Sequence, residues 1–422
     1  MKSYFSFLKG NVLIITITII LYRFVFASTA PYFSLYILAL GGSPSVIGLT
    51  MSLGGLAGML LYPIGGYIAD HRGRVKIVGL TTFFYAATFL LYSFAQDWKW
   101  IMAGQFISQL TLFYIPAMMA IMADSMPKDQ RGTGFAITNA IPQVIAILVP
   151  YISGYMTTIY GLEFTCRIWY GLGAVVGFIT GVLRYRFLEE TLPATQSEPF
   201  KLKNIPHVIK DAYVHSWKSL KWMPKSLKSF SAVTLMIILV ISMVNPYWVV
   251  YAKQVIMIDE YEWGIIMLCL GIVSVIFSLP AGKLIDKIGS RKSIMIALST
   301  ALASAIAYPF CTDFTQTLAA TIPITIANTI LYPATMTLMT NTVPRERRGT
   351  LMSLIGQGVG IAIGTTWAQG SLQFLALSVG SIFGGQIYEV NASYPWYALT
   401  ISFILCLIVS FFFVHEPKES QE

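Results

Sequence analysis

Long apolar stretches alternate with short polar connections along the whole chain. Runs of about 18 or more apolar residues predict membrane-spanning helices, because about 20 helical residues cross a hydrocarbon core about 30 Å thick. Twelve such spans are expected, near 11–38, 45–69, 75–95, 98–123, 132–157, 163–187, 229–254, 261–283, 291–311, 314–341, 349–389 and 394–414. The sequence therefore predicts an all-α membrane protein with twelve transmembrane helices.

The distribution of charge sets the orientation of these spans. Only 11% of the residues are charged, against about 25% in soluble domains, and 28 Lys and Arg outnumber 19 Asp and Glu, for a net charge of +9. With a cytoplasmic N-terminus, 24 of the 28 basic residues fall in cytoplasmic segments, as the positive-inside rule requires. We therefore expect a multi-pass protein of the plasma membrane with both termini in the cytoplasm. Nucleic-acid binding is not expected, because the basic residues are spread over separate short loops.

The polar stretch in the middle of the chain divides it into three predicted segments. These are a six-helix bundle over 1–187, a cytoplasmic linker over 188–228 and a second six-helix bundle over 229–422. The linker mixes Lys with Trp217, Trp222 and scattered apolar residues, which is typical of an amphipathic segment that rests on a lipid surface. A regulatory or partner-binding role for the linker is the alternative.

The two sets of spans carry the same pair of loop motifs in the same order. One motif follows spans 2 and 8, and the other, which ends in Arg-Gly-Thr, follows spans 4 and 10. Their residues are Gly66, Asp70, Gly73, Arg74 and Arg131 in the first set and Gly282, Asp286, Gly289, Arg291 and Arg348 in the second. The offset is 216 residues between the two aspartates and 217 between Arg131 and Arg348. A nearly constant offset indicates a parallel duplication of six helices.

With these duplicated motifs, the chain resembles the major facilitator superfamily over essentially its whole length. That resemblance implies two six-helix bundles around a central cavity, and a monomeric secondary transporter that moves a small-molecule substrate by alternating access. It also implies that Asp70 faces span 11 and Asp286 faces span 5, where a carboxylate is favoured beside a helix N-terminus. We expect the motif residues to form a cytoplasmic gate, with Gly66 and Gly282 allowing close helix approach. For the basic residues, the alternative is that they only anchor the topology.

The eleventh span is too long for one straight helix. At 1.5 Å per residue it would measure about 61 Å, twice the thickness of the hydrocarbon core. From Arg348 to Gly384 there are 36 residues, whereas the corresponding positions Arg131 and Gly154 are 23 residues apart. We expect a break near 364–370, where unwound backbone is tolerated only if it lines a cavity or is buried in protein. Trp367 and Gln369 would then contact substrate, or the break is a kink without a role.

A small set of polar residues is expected deep in the membrane. Arg23 lies 12 residues beyond Asn11, or about 18 Å along a helix, and a cation at that depth is a candidate for substrate binding. The alternative is an arginine that holds helices together through carbonyl or polar neighbours. The same two interpretations apply to the other polar residues at comparable depth, which are Gln105, Gln109, Tyr114, Asn245, Asn328, Tyr332 and Gln357.

Two substrate classes remain open. Aromatic-rich spans and the Arg-Gly-Thr loops favour efflux of hydrophobic or cationic, drug-like solutes, whereas Arg23 favours uptake or exchange of an organic or inorganic anion. A coupling proton also stays open, because proton coupling usually needs a carboxylate or histidine within the membrane. The candidate carboxylates are all peripheral, and they are Glu163, Asp259, Glu260, Glu262 and Glu389.

A receptor or scaffold that keeps the transporter fold without flux is the alternative of another class. An enzyme is not expected, because the chain contains no HExxH, G-x-S-x-G or GxxxxGK[ST] motif. For the same reason we predict no catalytic residue, no metal site and no cofactor.

Overall fold

The computed structural model describes residues 7–71, 73–127, 130–192, 223, 225–343, 351–352, 354–364 and 368–414, with only the backbone described at 62–71, 132–133, 136 and 225. All regular structure in these ranges is helical, and no β-strand occurs in them. We number the helices α1 to α12 and call α1–α6 the first half and α7–α12 the second half.

The helices of the first half are α1 (Gly10–Thr29, a 3-10 turn at Ala30–Tyr32, then Phe33–Ala39), α2 (Pro44–His71), α3 (Arg74–Ser93), α4 (Trp98–Thr111, a 3-10 turn at Leu112–Tyr114, then Ile115–Asp124), α5 (Arg131–Ala146 and Val149–Tyr160) and α6 (Leu162–Phe187). Those of the second half are α7 (Lys225–Val244, a 3-10 turn at Asn245–Tyr247, then Trp248–Gln254), α8 (Glu260–Ile288), α9 (Ser290–Ala307, then a 3-10 turn at Tyr308–Phe310), α10 (Phe314–Thr342), α11 (Ser371–Val390) and α12 (Tyr394–Phe413).

The predicted all-α membrane fold is confirmed. Eleven helices in the described ranges are long and apolar enough to cross a membrane, and they match the predicted spans 1–10 and 12. The prediction of one span over 349–389 is wrong in its first part, because the helix begins only at Ser371. The residues before it include four glycines between 356 and 364, and glycine is among the poorest helix formers.

The corresponding helices α1 and α7 are interrupted at the same depth. Each contains a 3-10 turn with a proline at its second position, Pro31 in α1 and Pro246 in α7. Proline has no backbone N–H and its ring displaces the preceding turn, so it loosens a helix at that point. The repeated turn agrees with a duplication of the six-helix unit.

We call the membrane side on which α1 begins and α12 ends the termini side. The two halves pack tightly toward the other side, which we call the opposite side. There α2 crosses α11 closely. A Cβ added at Gly385 would lie 2.8 Å from the backbone carbonyl oxygen of Pro44, and one added at Gly58 would lie 2.5 Å from the ring of Phe374. Small residues permit such an approach between membrane helices.

A second crossing, between α5 and α8, closes the same side. A Cβ added at Gly154 would lie 2.6 Å from the carbonyl oxygen of Glu260, and one added at Gly264 would lie 2.8 Å from that of Pro150. The hydroxyl of Tyr32 lies between the two helices, 2.8 Å from the carbonyl oxygen of Pro150 and 3.1 Å from that of Glu260. Both crossings therefore join the halves toward the opposite side.

Toward the termini side, α8 loses its contact with α5. The last close approach on this pair is at Gly271, where an added Cβ would lie 3.2 Å from Ile147. Beyond it, Val275 to Pro280 are six consecutive exposed residues, more than one and a half helical turns. The face of α8 that packs on α5 from Gly264 to Gly271 is exposed from Val275 to Pro280. A cavity between the halves therefore opens on the termini side.

Candidate functional site in the central cavity

The break before α11 is a hairpin that folds into the second half. At its base, a Cβ added at Gly370 would lie 2.8 Å from the carbonyl oxygen of Leu354 and would also meet the backbone of Gly356. Gly356 and Gly364 have φ values of +86° and +77°, a region that glycine enters without steric cost. We call residues 356–370 the hairpin, 356–364 its first arm and 368–370 its second arm; residues 365–367 between the arms, Trp367 among them, lie outside the described residues.

The hairpin accounts for the extra length in the second half. The spacing from Arg348 to Gly384 exceeds that from Arg131 to Gly154 by 13 residues, and the hairpin contains 15. The predicted break near 364–370 is therefore present, and it begins earlier, at Gly356. The second half has thus gained a non-helical element that the first half lacks among its described residues.

Three side chains from α7 and α10 accept hydrogen bonds from the first arm. The N–H groups of Val359, Ile361 and Gly364 donate to Thr335 Oγ1 at 3.1 Å, Asn328 Oδ1 at 2.8 Å and Asn245 Oδ1 at 2.6 Å, respectively. A backbone N–H without a partner costs several kcal/mol in a membrane interior. These side chains therefore make an unwound arm tolerable at this depth.

The base of the hairpin is held by one fully buried glutamine. Gln373, in the first turn of α11, donates through Nε2 to the carbonyl oxygens of Ile355 at 2.9 Å and Gly358 at 3.1 Å. Its Oε1 accepts from the backbone N–H of Gln369 at 2.9 Å. One side chain thus joins the two arms. The Gln369 side chain in turn donates to the hydroxyl of Tyr332 at 3.3 Å.

Four of the predicted substrate residues meet at this hairpin. Asn245, Asn328 and Tyr332 contact it as described, and Gln357 lies in its first arm beside Phe230 of α7. Hydrogen bonds of Asn245, Asn328 and Tyr332 go to the hairpin itself, so these three residues position it. Sequence reasoning missed Thr335 and Gln373, because a polar residue that serves a distant unwound backbone has the same local pattern as one that joins two helices.

The other predicted polar residues lie in the first half, away from the hairpin. Gln105 and Gln109 of α4 pack on Gly54 of α2, where an added Cβ would lie 3.2 Å and 3.1 Å from their Cγ atoms. Gln105 also accepts a hydrogen bond from the hydroxyl of Tyr92 at 3.2 Å. Tyr114 is buried, and its ring lies 5.4 Å from the guanidinium of Arg184. The eight predicted residues therefore do not form one cluster.

Arg184, near the end of α6, is a buried cation. Its side chain is only 1% exposed and donates to Thr18 Oγ1 and Thr82 Oγ1, both at 3.1 Å. The rings of Tyr22 and Tyr114 each lie 5.4 Å from its guanidinium, within the range of a cation–π contact. No carboxylate among the described residues pairs with it. Arg184 therefore ties α6 to α1, α3 and α4.

Arg23 has a different environment from Arg184. It is half-buried in α1, and no described residue forms a hydrogen bond or ion pair with it. Two residues along a helix turn the side chain by about 200°, so Arg23 lies opposite Val25, which packs on Gly173 of α6. Arg23 therefore lies on the side of α1 that faces away from α6, with its charge unbalanced by any described carboxylate.

The motif residues of the expected gate are only partly described. The side chain of Asp70, the surroundings of Gly66 and all of Arg348 lie outside the described residues. Arg74 pairs with Asp124 at 2.6 Å and donates to Thr191 at 3.0 Å, all within the first half or just after it. Gly73 ends the loop before α3, beside Glu190.

In the second half, the described motif residues Arg291 and Gly289 lie at helix ends of that half. Arg291 donates to the carbonyl oxygens of Ser410 and Phe411 of α12, and Gly289 ends α8 with a φ of +84°. The close approach expected at Gly282 is absent, since an added Cβ would meet nothing within 4 Å. The halves are apart on the termini side, which leaves Asp286 exposed. Arg131, at the start of α5, is half-buried.

The peripheral carboxylates are all engaged at helix ends. Glu163 pairs with Arg167 at 2.7 Å and Glu260 with Lys253 at 3.0 Å, while Asp259 and Glu262 form a capping box at the start of α8. The carboxylate of Glu389 joins the halves. From the last turn of α11, it accepts a hydrogen bond at 2.9 Å from the N–H of Ser45, in the first turn of α2.

Comparisons with known proteins agree with this architecture. The model of the Major Facilitator Superfamily matches residues 15–366. The chain is 24% identical over 359 residues, 84% of its length, to the uncharacterized MFS-type transporter MJ1560 of Methanocaldococcus jannaschii, 89% of which is covered. It is 23% identical over 387 residues to the multidrug resistance protein MdtG of Salmonella typhi, with 87% of this chain and 91% of that protein covered.

Among solved structures, that of the nucleoside transporter NupG matches with a TM-score of 0.68 at 16% identity, covering 96% of this chain and 98% of that chain. At this identity the match shows the fold alone. The family model covers far more than half of the chain. The chain therefore belongs to the major facilitator superfamily, and it is a transporter.

Proposed function

We propose that this protein is a secondary transporter that moves small, drug-like organic solutes out of the cell by alternating access. The observation that carries the proposal is the asymmetry of the cavity, which is closed by two glycine-lined crossings toward the opposite side and open on the termini side. With the termini placed in the cytoplasm by the positive-inside rule, this conformation faces inward. It is the state in which an exporter takes up its solute.

Efflux is the direction supported by the sequence relatives. MdtG is named a multidrug resistance protein, and the apolar, aromatic-rich spans of this chain suit lipophilic solutes. The eight polar residues predicted from the sequence are candidates for substrate contact, with those at the hairpin acting through its backbone. The gate formed by Asp70, Asp286 and their basic neighbours belongs to the proposal as well.

A second candidate function is carriage of an organic or inorganic anion. It is favoured by Arg23, a half-buried cation in α1 with no described carboxylate beside it. An intramembrane arginine without a counter-charge is costly unless it serves a ligand or pathway. An anionic substrate would supply that charge.

Ligand-induced thermal stabilisation of the purified protein, followed by flux into liposomes, separates these functions. We expect lipophilic cations to raise the melting temperature of the wild type and of Arg23→Ala alike. Stabilisation by organic anions that is lost in Arg23→Ala would favour the anion carrier instead. Arg186→Ala, which removes an exposed charge in the last turn of α6, is the matched control.

Flux decides between a transporter and a receptor with the same fold. We expect a stabilising solute to accumulate in liposomes that contain the protein and to exchange with unlabelled solute on the other side. Binding without exchange, with every stabilising solute, would overturn the proposed function.

A further inference from the structure

The first arm of the hairpin is an extended segment with two kinds of backbone amide. The N–H groups of Val359 and Ile361, two residues apart, both reach α10, at Thr335 and Asn328. These two acceptors are seven residues apart on α10, or about 10 Å. Two residues of an extended chain advance about 7 Å, whereas two residues of helix advance about 3 Å. The bonding pattern therefore fits an extended arm.

The amides at the intervening positions make no such bonds to the described residues. In an extended chain, successive N–H groups point in opposite directions, so those of Gly360 and Ala362 point away from the α10 side chains that bind Val359 and Ile361. Within the part of the chain that the structure describes, neither their N–H nor their C=O groups form a hydrogen bond. They are the free edge of the arm.

This edge is reached by solvent in the cavity. Val359 and Ile361 are 0% and 1% exposed, whereas Gly360 and Ala362 are half-buried. Glycine has no side chain, so the exposure of Gly360 is exposure of its backbone. Unpaired backbone cannot face lipid. The arm lies between α7 and α10, and its tip at Gly364 approaches Pro31 of α1. The edge therefore faces the cavity between the halves.

An unpaired acceptor lies on the second arm. Gln369 Oε1 is buried and has no hydrogen-bond partner among the described residues, although Nε2 of the same side chain donates to Tyr332. A buried acceptor without a partner carries a desolvation cost that a ligand donor would remove. The hairpin sequence from 356 to 370 contains no charged residue.

We propose that the free edge at Gly360 and Ala362 binds the amide groups of a neutral, extended substrate, such as a short peptide with blocked ends. Each residue of the edge offers one N–H donor and one C=O acceptor, and an amide presents the complementary pair. This is strand addition in which the substrate supplies the second strand. The inference rests on the proposed function, because it names the substrate class of the same cavity.

The test compares two ligands that differ in one donor. The first is the blocked tripeptide N-acetyl-Ala-Ala-Ala-amide, and the second is its depsipeptide analogue with an ester oxygen in place of the central N–H. Binding is measured by calorimetry on the full chain in detergent. The ester cannot donate the central hydrogen bond, so its acceptor on the edge is left unpaired. We therefore expect the peptide to bind about tenfold more tightly than the ester. Equal affinities, or no binding of the peptide, would overturn the proposal.

Variants at Ala362 locate the effect in the protein. In Ala362→Pro, which removes the N–H that would donate to a carbonyl oxygen of the ligand, we expect the peptide to bind about tenfold more weakly than to the wild type, whereas in Ala362→Ser, which keeps the N–H, its affinity is unchanged. Unchanged affinity of the peptide in Ala362→Pro would place the peptide elsewhere and overturn the proposal. If Ala362→Pro does not fold, the wild-type comparison of the two ligands still decides.

The two proposals fail in different ways. Flux of lipophilic cations together with equal peptide and ester affinities would overturn the amide site and leave the transporter standing. A tenfold preference for the peptide without exchange of any solute would support the amide site and overturn the transport function.

Discussion

Replacing Gln373 by leucine is expected to release the hairpin from the second half. The wild-type side chain forms three hydrogen bonds, to the backbone of Ile355, Gly358 and Gln369, and is 0% exposed. Leucine has a similar size but no polar atom, so Gln373→Leu leaves three buried backbone groups without this partner. At about 1 kcal/mol for each lost bond, opening of the hairpin becomes easier by about 3 kcal/mol.

Hydrogen–deuterium exchange measures this opening directly. Amides exchange through local opening, and every 1.4 kcal/mol is a factor of ten in the equilibrium constant, so about 3 kcal/mol predicts exchange about a hundredfold faster. We expect this acceleration in peptides covering 354–370, where Val359 and Ile361 are protected by α10. Peptides from α3, remote from the hairpin, are expected to exchange as in the wild type.

Gln105→Leu is the matched control, because it removes a glutamine of the first half that accepts one hydrogen bond, from Tyr92. It is expected to leave exchange in 354–370 unchanged. The reasoning would be refuted if Gln373→Leu changed exchange over 354–370 by less than about threefold, or if Gln105→Leu changed it equally.

Three further variants test the closed side, the buried arginine and the expected gate. Glu389→Gln removes a charge that favours the start of α2 by about 1 kcal/mol. A cysteine introduced by Ser381→Cys, buried at the α2–α11 crossing, should then react about fivefold faster with an impermeant maleimide added from outside. Glu163→Gln is the control and should not change this rate. Arg184→Lys should lower the melting temperature more than Arg184→Met. A lysine ammonium is a buried charge that cannot bond both threonines in the fork geometry of arginine, whereas methionine leaves no buried charge. Equal decreases in melting temperature would contradict this. Asp70→Asn should slow turnover with little loss of expression, and unchanged turnover would count against the gate.

The spans and their order follow from hydropathy and the duplicated motifs, because both depend on residues close together in sequence. The presence of a break in span 11 also follows, from its length, although the break begins at Gly356 and not at the predicted 364. What the pattern cannot give is the path of the chain within the break. The first arm is held by Thr335, Asn328 and Asn245, which lie up to about 120 residues away, and nothing in their local sequence distinguishes a hydrogen bond to backbone from one to substrate.

Arg184 shows a second limit of sequence reasoning. Its position three residues before the end of α6 indicates a residue at the membrane surface. Side chains on a helix point back toward its N-terminus, and for α6 this direction leads into the membrane. The long side chain therefore reaches Thr18 and Thr82 in the interior of the first half. An estimate of depth from the Cα position is therefore wrong for a long side chain that points into the membrane.

The hairpin also makes the two walls of the cavity unlike each other. Arg23 of the first half lies on the side of α1 that faces away from α6, whereas the second half offers backbone at Gly360 and Ala362 that has no partner among the described residues. Among the described residues, the first arm donates its hydrogen bonds to α7 and α10 of the second half, at Thr335, Asn328 and Asn245. When the halves rock to open the opposite side, the first arm is therefore expected to move with the second half. A substrate bound along the first arm would therefore move with the second half and leave the first.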